Sequence, residues 1–175
     1  MRKALCVGID SYQYISDLHG CVNDANSVNA VLARNGDGTL NFDVKIMCAT
    51  SETSYITRTT LKEAVKELFR SESEIALFYY SGHGSFDISG GYLCTSEVTQ
   101  ADEGLSLNDL MTIVSTSPAQ NKIIVLDSCF SGNISTPANM PQYSLLHNGT
   151  TILAACGEDE YASEENAHGV YTSLF

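Results

Sequence analysis

Short apolar runs alternate along this chain with stretches of helical periodicity. Ala4 to Ile9 predicts a buried strand. Asn23 and Asp24 are candidate caps for a helix whose apolar residues Ala25, Val28, Val31 and Leu32 share one face. The Asn35-Gly36-Asp37-Gly38 run ends that helix in a turn, and Phe42 to Cys48 predicts a second strand. Thr60 and Glu63 have the spacing of a capping box, ahead of a helical face formed by Leu61, Ala64, Leu68 and Phe69. Ile75 to Tyr80 is a near-continuous apolar run, as expected for a parallel strand covered on both faces. A polar, glycine-rich stretch from Ser81 to Gly104 then holds a hairpin around Tyr92 to Cys94. Ser106 starts a third short helix through Val114, and strands follow at Lys122 to Asp127 and Thr151 to Ala155. The order β-α-β-α-β-(hairpin)-α-β-loop-β predicts an α/β fold: a mainly parallel sheet flanked by helices. Tyr171 to Phe175 reads as the first turn of a further helix.

Composition narrows the class. The 175 residues suit one domain with a single core, and 43% hydrophobic against 17% charged residues is globular composition. The formal net charge of −12 repels phosphate backbones, so nucleic acid is not an expected partner; the charge serves solubility or a preference for cationic substrates, and by itself does not separate the two. No stretch approaches the roughly 20 apolar residues of a membrane span. The apolar run after Arg2 and Lys3 breaks at Gly8 and Asp10, too soon for a signal peptide. The six cysteines, Cys6, Cys21, Cys48, Cys94, Cys129 and Cys156, form no C-x-x-C pair. Their scatter argues against a disulfide framework or a zinc site and for a reducing, cytoplasmic setting.

Two strand ends carry the candidate chemistry. The run ending at Tyr80 leads straight into Ser81-Gly82-His83-Gly84, and the run ending at Leu126 into Asp127-Ser128-Cys129-Phe130-Ser131-Gly132. Open parallel sheets bind ligands beyond the carboxyl ends of their strands. If the two strands are neighbours, His83 and Cys129 face one crevice. An imidazole there can take the thiol proton and return it to a leaving amine. The amides of Gly84 and Cys129 can stabilise an oxyanion. Alone, a Gly-His-Gly is most often a loop and a cysteine after a strand is most often packing; together, in this order, they are far more specific.

At these residues the chain resembles the caspase and metacaspase family, in its bacterial, metacaspase-like branch. Tyr79 to Gly84 and Leu126 to Gly132 carry the resemblance. The separation of 129 − 83 = 46 residues agrees with a histidine about 50 residues upstream of the caspase cysteine. Weaker matches lie at Val7-Gly8-Ile9-Asp10, at Leu18 to Ala25, at Leu153 to Glu160 and at His168 to Thr172. The resemblance implies a caspase-hemoglobinase-like three-layer sandwich with a six-strand sheet, of which about five strands are evident. Residues 1–175 would then hold the large-subunit region and the start of the small subunit, with the last strand and final helices beyond Phe175. It also implies a cysteine endopeptidase with His83 as acid/base, Cys129 as nucleophile, oxyanion amides on Gly84 and Cys129, and a role as a regulated effector in stress or defence.

Departures from caspases proper sharpen the expectation. In place of Gln-Ala-Cys the chain has Asp127-Ser128-Cys129, the metacaspase-like form. In that branch Asp24 and Asp127, with Cys21 and Ser81 beside them, resemble an acidic specificity pocket. Two carboxylates favour a guanidinium or ammonium, so cleavage after Arg or Lys is expected, not after Asp. The plainer readings are a helix cap for Asp24 and a strand-end turn for Asp127. Where many metacaspases hold calcium, this chain has Leu107, Asn108 and Thr136, and the nearby acids Asp102, Glu103 and Asp109 fit no known loop. No metal and no cofactor are expected. No Lys or Arg lies between Ile123 and Phe175, so a basic-specific protease does not process itself there, and an activating partner or further chain is expected. His19, His147 and His168 read as surface residues, with His147 also within reach of the cleft; Cys156 reads as structural, and Glu158-Asp159-Glu160 with Glu164-Glu165 as a solvated acidic loop or a contact for a cationic substrate or regulator. The alternatives are a catalytically silent caspase-like scaffold and another thiol hydrolase or acyl transferase on a similar sheet. Retention of both His83 and Cys129 disfavours the scaffold.

Overall fold

The structure is a computed structural model in which residues 1–50, 54–99, 102–128, 149–154, 164–165 and 168–169 are described. Five parallel strands form the central sheet: β1 (Arg2–Ile9), β2 (Asp43–Ala49), β3 (Ile75–Ser81), β7 (Asn121–Asp127) and β8 (Thr150–Ala154), in the order β2-β1-β3-β7-β8. Helix α1 (Cys21–Ala33) links β1 to β2, and α2 (Arg58–Phe69) links β2 to β3. A small antiparallel sheet of β4 (Gly84–Asp87), β5 (Gly90–Leu93) and β6 (Leu105–Ser106), followed by α3 (Leu107–Ser115), leads to β7. A short antiparallel ribbon pairs β9 (Glu164–Glu165) with β10 (His168–Gly169).

Handedness explains the layers. Parallel crossovers are right-handed, so the direction of travel along the sheet sets the face each helix covers. The chain moves one way from β1 to β2, then the other way from β2 past β1 to β3 and on to β7. That reversal puts α1 on one face and α2 with α3 on the other. The side chains follow. Leu5, Val7, Ile9, Phe78, Tyr80, Ile124 and Leu126 pack with Leu61, Val65, Leu68, Phe69, Leu110 and Val114 of α2 and α3. Ala4, Cys6, Leu77, Tyr79 and Val125 face Ala25, Val28 and Leu32 of α1. β3 is therefore covered on both faces, and each large apolar side chain buried there contributes roughly 1.5–3 kcal/mol. The three-layer α/β sandwich expected from the sequence is present.

Three local expectations need correction. Asn23 and Asp24 do not cap α1, which begins two residues earlier at Cys21. The cap comes from Asp10 at the end of β1, whose Oδ1 accepts from the N–H groups of Cys21 (2.9 Å) and Val22 (3.3 Å). The capping box of α2 is Thr57–Thr60 instead of Thr60–Glu63: the Thr57 hydroxyl accepts from Thr60 N–H, and Thr60 Oγ1 accepts from Thr57 N–H. Val31 is 70% exposed and sits off the buried stripe of α1. With Val28, Leu32, Leu77, Ile123 and Leu153 it rims an apolar groove of about 260 Å³ beside β7 and β8, where α1 is the one helix on that face among the described residues.

Asp10 gives a direct test. A helix N-cap contributes about 0.5–2 kcal/mol, and this one also holds α1 to the sheet. Asp10→Ala is expected to lower stability in that range by urea denaturation, with Asp10→Asn retaining most of it.

Candidate functional site

The strand order reverses at β1 and β3, so the crevice between their carboxyl ends is the natural ligand position in such a sheet. Register aligns the residues around it. Gly8 of β1 pairs with Ser81 of β3, and Ser81 pairs with Asp127 of β7. These three form one row across the sheet. Side chains alternate along each strand, and the same parity as Cys6, Tyr79 and Val125 points Ser81 and Asp127 to the α1 face.

The first turn of α1 meets that row. Cys21, Asp24, Ala25 and Val28 lie at helical spacing on the sheet-facing stripe, and Asp24 is wholly buried at 0% exposure. Asp127 is 5% exposed, and Cys21 and Ser81 are also buried. The four expected pocket residues thus share one face and one end of the sheet. The reading of Asp24 as a helix cap fails, because it lies inside the helix. Two carboxylates so far out of water are costly unless opposite charge or hydrogen-bond donors meet them.

His83 stands two residues beyond this row, between β3 and β4. Its backbone N–H donates to the Tyr12 hydroxyl at 2.8 Å, and Tyr12 packs its ring against the imidazole with centroids 4.8 Å apart. His83 Nε2 lies 2.9 Å from the Ser16 carbonyl oxygen. A carbonyl only accepts, so Nε2 carries the proton in this contact, and Nδ1 is the acceptor of the neutral ring. The Tyr80 hydroxyl lies 2.8 Å from the His83 carbonyl oxygen and 2.6 Å from that of Cys94. Burial pushes the Tyr12 and Tyr80 phenols well up, so both stay neutral. Gly82 has to be glycine for space: a Cβ there would lie 2.6 Å from the Tyr80 hydroxyl and 2.8 Å from that of Tyr12.

Gly84 opens β4. The Cys94 N–H donates to the His83 carbonyl at 3.0 Å, which makes His83 and Cys94 a hydrogen-bonded pair. Antiparallel pairs alternate in type, so the Gly84–Leu93 pair is the other kind and the Gly84 amide points away from β5, toward the outer edge of the small sheet.

Cys129 lies outside the described residues, as do Thr136, His147 and Cys156. The chain is described up to Ser128, one residue before Cys129, and Ser128 is itself buried. Two of the other thiols are poor nucleophiles at neutral pH: burial pushes Cys6 up to about 12 and Cys94 to about 11. The acids considered for a cation are engaged separately. Asp102 pairs with Arg58, Asp109 with Lys62 at 2.6 Å, and Glu103 accepts from Ser85. Tyr12, Ser16 and Asp10 escaped sequence reasoning, because nothing in a Ser-Tyr-Gln-Tyr stretch signals a contact with a histidine 71 residues away.

The comparisons with known proteins agree with this architecture. A family model for the caspase domain matches residues 1–175. The chain is 30% identical to metacaspase-1A of Neurospora crassa, over 99% of its own length and 42% of that protein's. It is 31% identical to metacaspase-1 of Schizosaccharomyces pombe, over 75% of the chain and 34% of the relative. Metacaspase-1 of Candida albicans is 28% identical over 76% of the chain and 34% of the relative. The chain thus spans less than half the length of each of these relatives. No helix among the described residues is long and apolar enough to cross a membrane. On its family match and on the parallel sheet that carries Gly82-His83-Gly84 and Asp127-Ser128 at neighbouring strand ends, the chain belongs to the caspase family and has metacaspases among its relatives.

Proposed function

We propose that the chain is the core of a cysteine endopeptidase that cleaves after Arg or Lys, with Cys129 as nucleophile and His83 as general acid and base. The observation that carries this reading is the in-register pair Ser81–Asp127 on adjacent parallel strands. His83 and Cys129 each follow that pair by two residues, so both segments leave the sheet at the same edge. His83 Nδ1 takes the thiol proton, and the thiolate sulfur attacks the carbonyl carbon of the scissile bond. The negative charge on the carbonyl oxygen goes to the amides of Gly84 and Cys129; one such donor is worth about 2.7–4 kcal/mol in the transition state. The imidazolium returns its proton to the leaving amine, leaving a thioester on Cys129. Water then attacks that thioester while His83 takes its proton, and the acid product and free thiol are released.

Asp24 and Asp127, with Cys21 and Ser81, form the basic-residue pocket in this reading. Their position on one face at one end of the sheet supports it, since carboxylates gathered in one place favour a guanidinium or ammonium. With no Lys or Arg after Lys122, such an enzyme does not cut itself between residues 123 and 175. Activation is then assigned to a partner or to further chain. A cytoplasmic effector role in stress or defence rests on the family resemblance and the absence of a disulfide pattern in the sequence.

A fluorogenic peptide panel with Arg, Lys or Asp before the scissile bond tests the proposal. Arg and Lys peptides are expected to be cleaved at least about 100-fold faster than Asp peptides, the scale of one well-placed charge contact. Asp127→Ala should shrink that ratio by about tenfold or more while leaving a folded protein. Equal rates on the Asp peptide refute the pocket. No cleavage of any peptide favours the silent scaffold.

A further inference from the structure

The loop after β1 is folded against His83 from three directions. The Tyr12 hydroxyl accepts from the His83 amide at 2.8 Å, the Tyr12 ring packs on the imidazole, and the Ser16 carbonyl meets Nε2 at 2.9 Å. The loop keeps its shape through two short bonds. Asp17 Oδ1 accepts from Tyr12 N–H at 2.8 Å, and Leu18 N–H donates to the Asp10 carbonyl at 2.8 Å. Asp17 thus closes a tight turn that fixes how far Ser16 stands from Tyr12. A further bond from Gln13 N–H to the Ser96 carbonyl, 2.9 Å long, ties the loop to the segment after β5.

Tyr12 is also the start of a relay of hydroxyls. Its oxygen accepts from the His83 amide, and the Tyr12 and Tyr80 hydroxyls hydrogen-bond to each other. The Tyr80 hydroxyl in turn reaches the carbonyls of His83 and Cys94. At 7% exposure, Tyr12 is held in the core by packing with Ile9, Tyr80, Leu93 and their neighbours. The relay therefore grips the His83 backbone on both its N–H and its C=O. Networks of this kind reinforce one another in a water-poor setting.

We propose that Tyr12 is the positioning residue for His83: its hydroxyl fixes the histidine backbone, and its ring sets the plane in which the imidazole meets the Ser16 carbonyl. The role follows from reach. An imidazole that swings by an ångström, or that shifts its proton to Nδ1, no longer accepts from the thiol. The inference rests on the peptidase reading for its consequence in rate, but its geometry can be tested without any activity.

The experiment uses the full-length protein with 15N-labelled histidine. Long-range proton–nitrogen spectra report the His83 tautomer, and steady-state kinetics on the Arg peptide are measured in parallel. Wild type is expected to show the Nε2–H form. Tyr12→Phe, which keeps the ring and loses the hydroxyl, is expected to give a mixed tautomer signature, faster exchange of the His83 amide proton, and kcat lowered about 10- to 100-fold with KM within about twofold. Tyr14→Phe, an exposed tyrosine on the same loop, is the control and should match wild type. Where Tyr12→Phe does not fold, Asp17→Ala, which removes the acceptor of the Tyr12 N–H, gives the same reading through the loosened turn. An unchanged tautomer in the variant overturns the proposal. So does a loss of kcat/KM carried by KM alone, or an altered tautomer with unaltered kcat. If wild type cleaves no peptide, the peptidase reading fails, while the tautomer still decides whether Tyr12 positions His83.

Discussion

Replacing Cys129 by Ala is expected to reduce kcat/KM on Arg and Lys peptides by at least about 10⁴-fold. His83→Ala should fall within about tenfold of that loss, and the double variant should be no worse than the more damaging single one. In the proposed dyad nucleophile and base act as one unit, so removing either removes the covalent route, and what remains comes from binding and the proposed oxyanion donors. Thermal unfolding of Cys129→Ala should match wild type, which separates chemistry from folding. Among the described thiols, Cys6 and Cys94 are held near 12 and 11 by burial and cannot take over at neutral pH. Hydrolysis surviving in Cys129→Ala within tenfold of wild type would mean that another group does the work, and the dyad assignment would fall.

Gly8→Ala is expected to be the most damaging single-methyl addition near the site. A Cβ on Gly8 would lie 2.4 Å from the Cys21 carbonyl oxygen and 2.8 Å from both the Cys21 carbonyl carbon and Val22 Cα. All three are backbone atoms of the α1 start, and that start is pinned by Asp10 through the Cys21 and Val22 amides. It therefore cannot back away without breaking its cap. Overpacking of this sort costs about 1–3 kcal/mol, and more where backbone must move. A loss of about 3 kcal/mol corresponds to a Tm lower by roughly 6–12 °C for a chain of this size. The same shift moves Cys21 and Asp24 relative to Ser81, the strand partner of Gly8. KM for basic peptides should therefore rise in whatever fraction stays folded. Gly36→Ala, where a Cβ meets nothing within 4 Å, is the matched control and should shift Tm by less than about 2 °C. A Gly8→Ala protein as stable as wild type would show that β1 and α1 have room to separate, against the close packing described above.

Local signals were enough for most elements. The unbroken apolar run at Ile75 to Tyr80 announced a strand buried on both faces, and the Ser106 hydroxyl, which accepts from Asp109 N–H, is where a helix start was expected. The two segments proposed to carry the chemistry could be singled out for the same reason: each directly follows an apolar run, and those runs are neighbouring parallel strands. The shift of the α2 capping box from Thr60 to Thr57 is a local error. Either threonine has the right side chain, and the extended backbone at Thr57 chose between them.

The remaining features depend on residues that meet across long stretches of chain. Residue types and spacing, read alone, were sufficient for the α/β class, the alternation of elements and the caspase-like resemblance. They could not reveal that Asp10 caps α1, that Gly8, Ser81 and Asp127 stand in one row, or that Tyr12 and Ser16 grip His83. Periodicity encodes which face of an element is apolar, because that is a property of neighbours in sequence. A register, a cap supplied from another strand and a carbonyl against an imidazole are fixed only when the sheet order and its reversal at β1 bring distant backbone together.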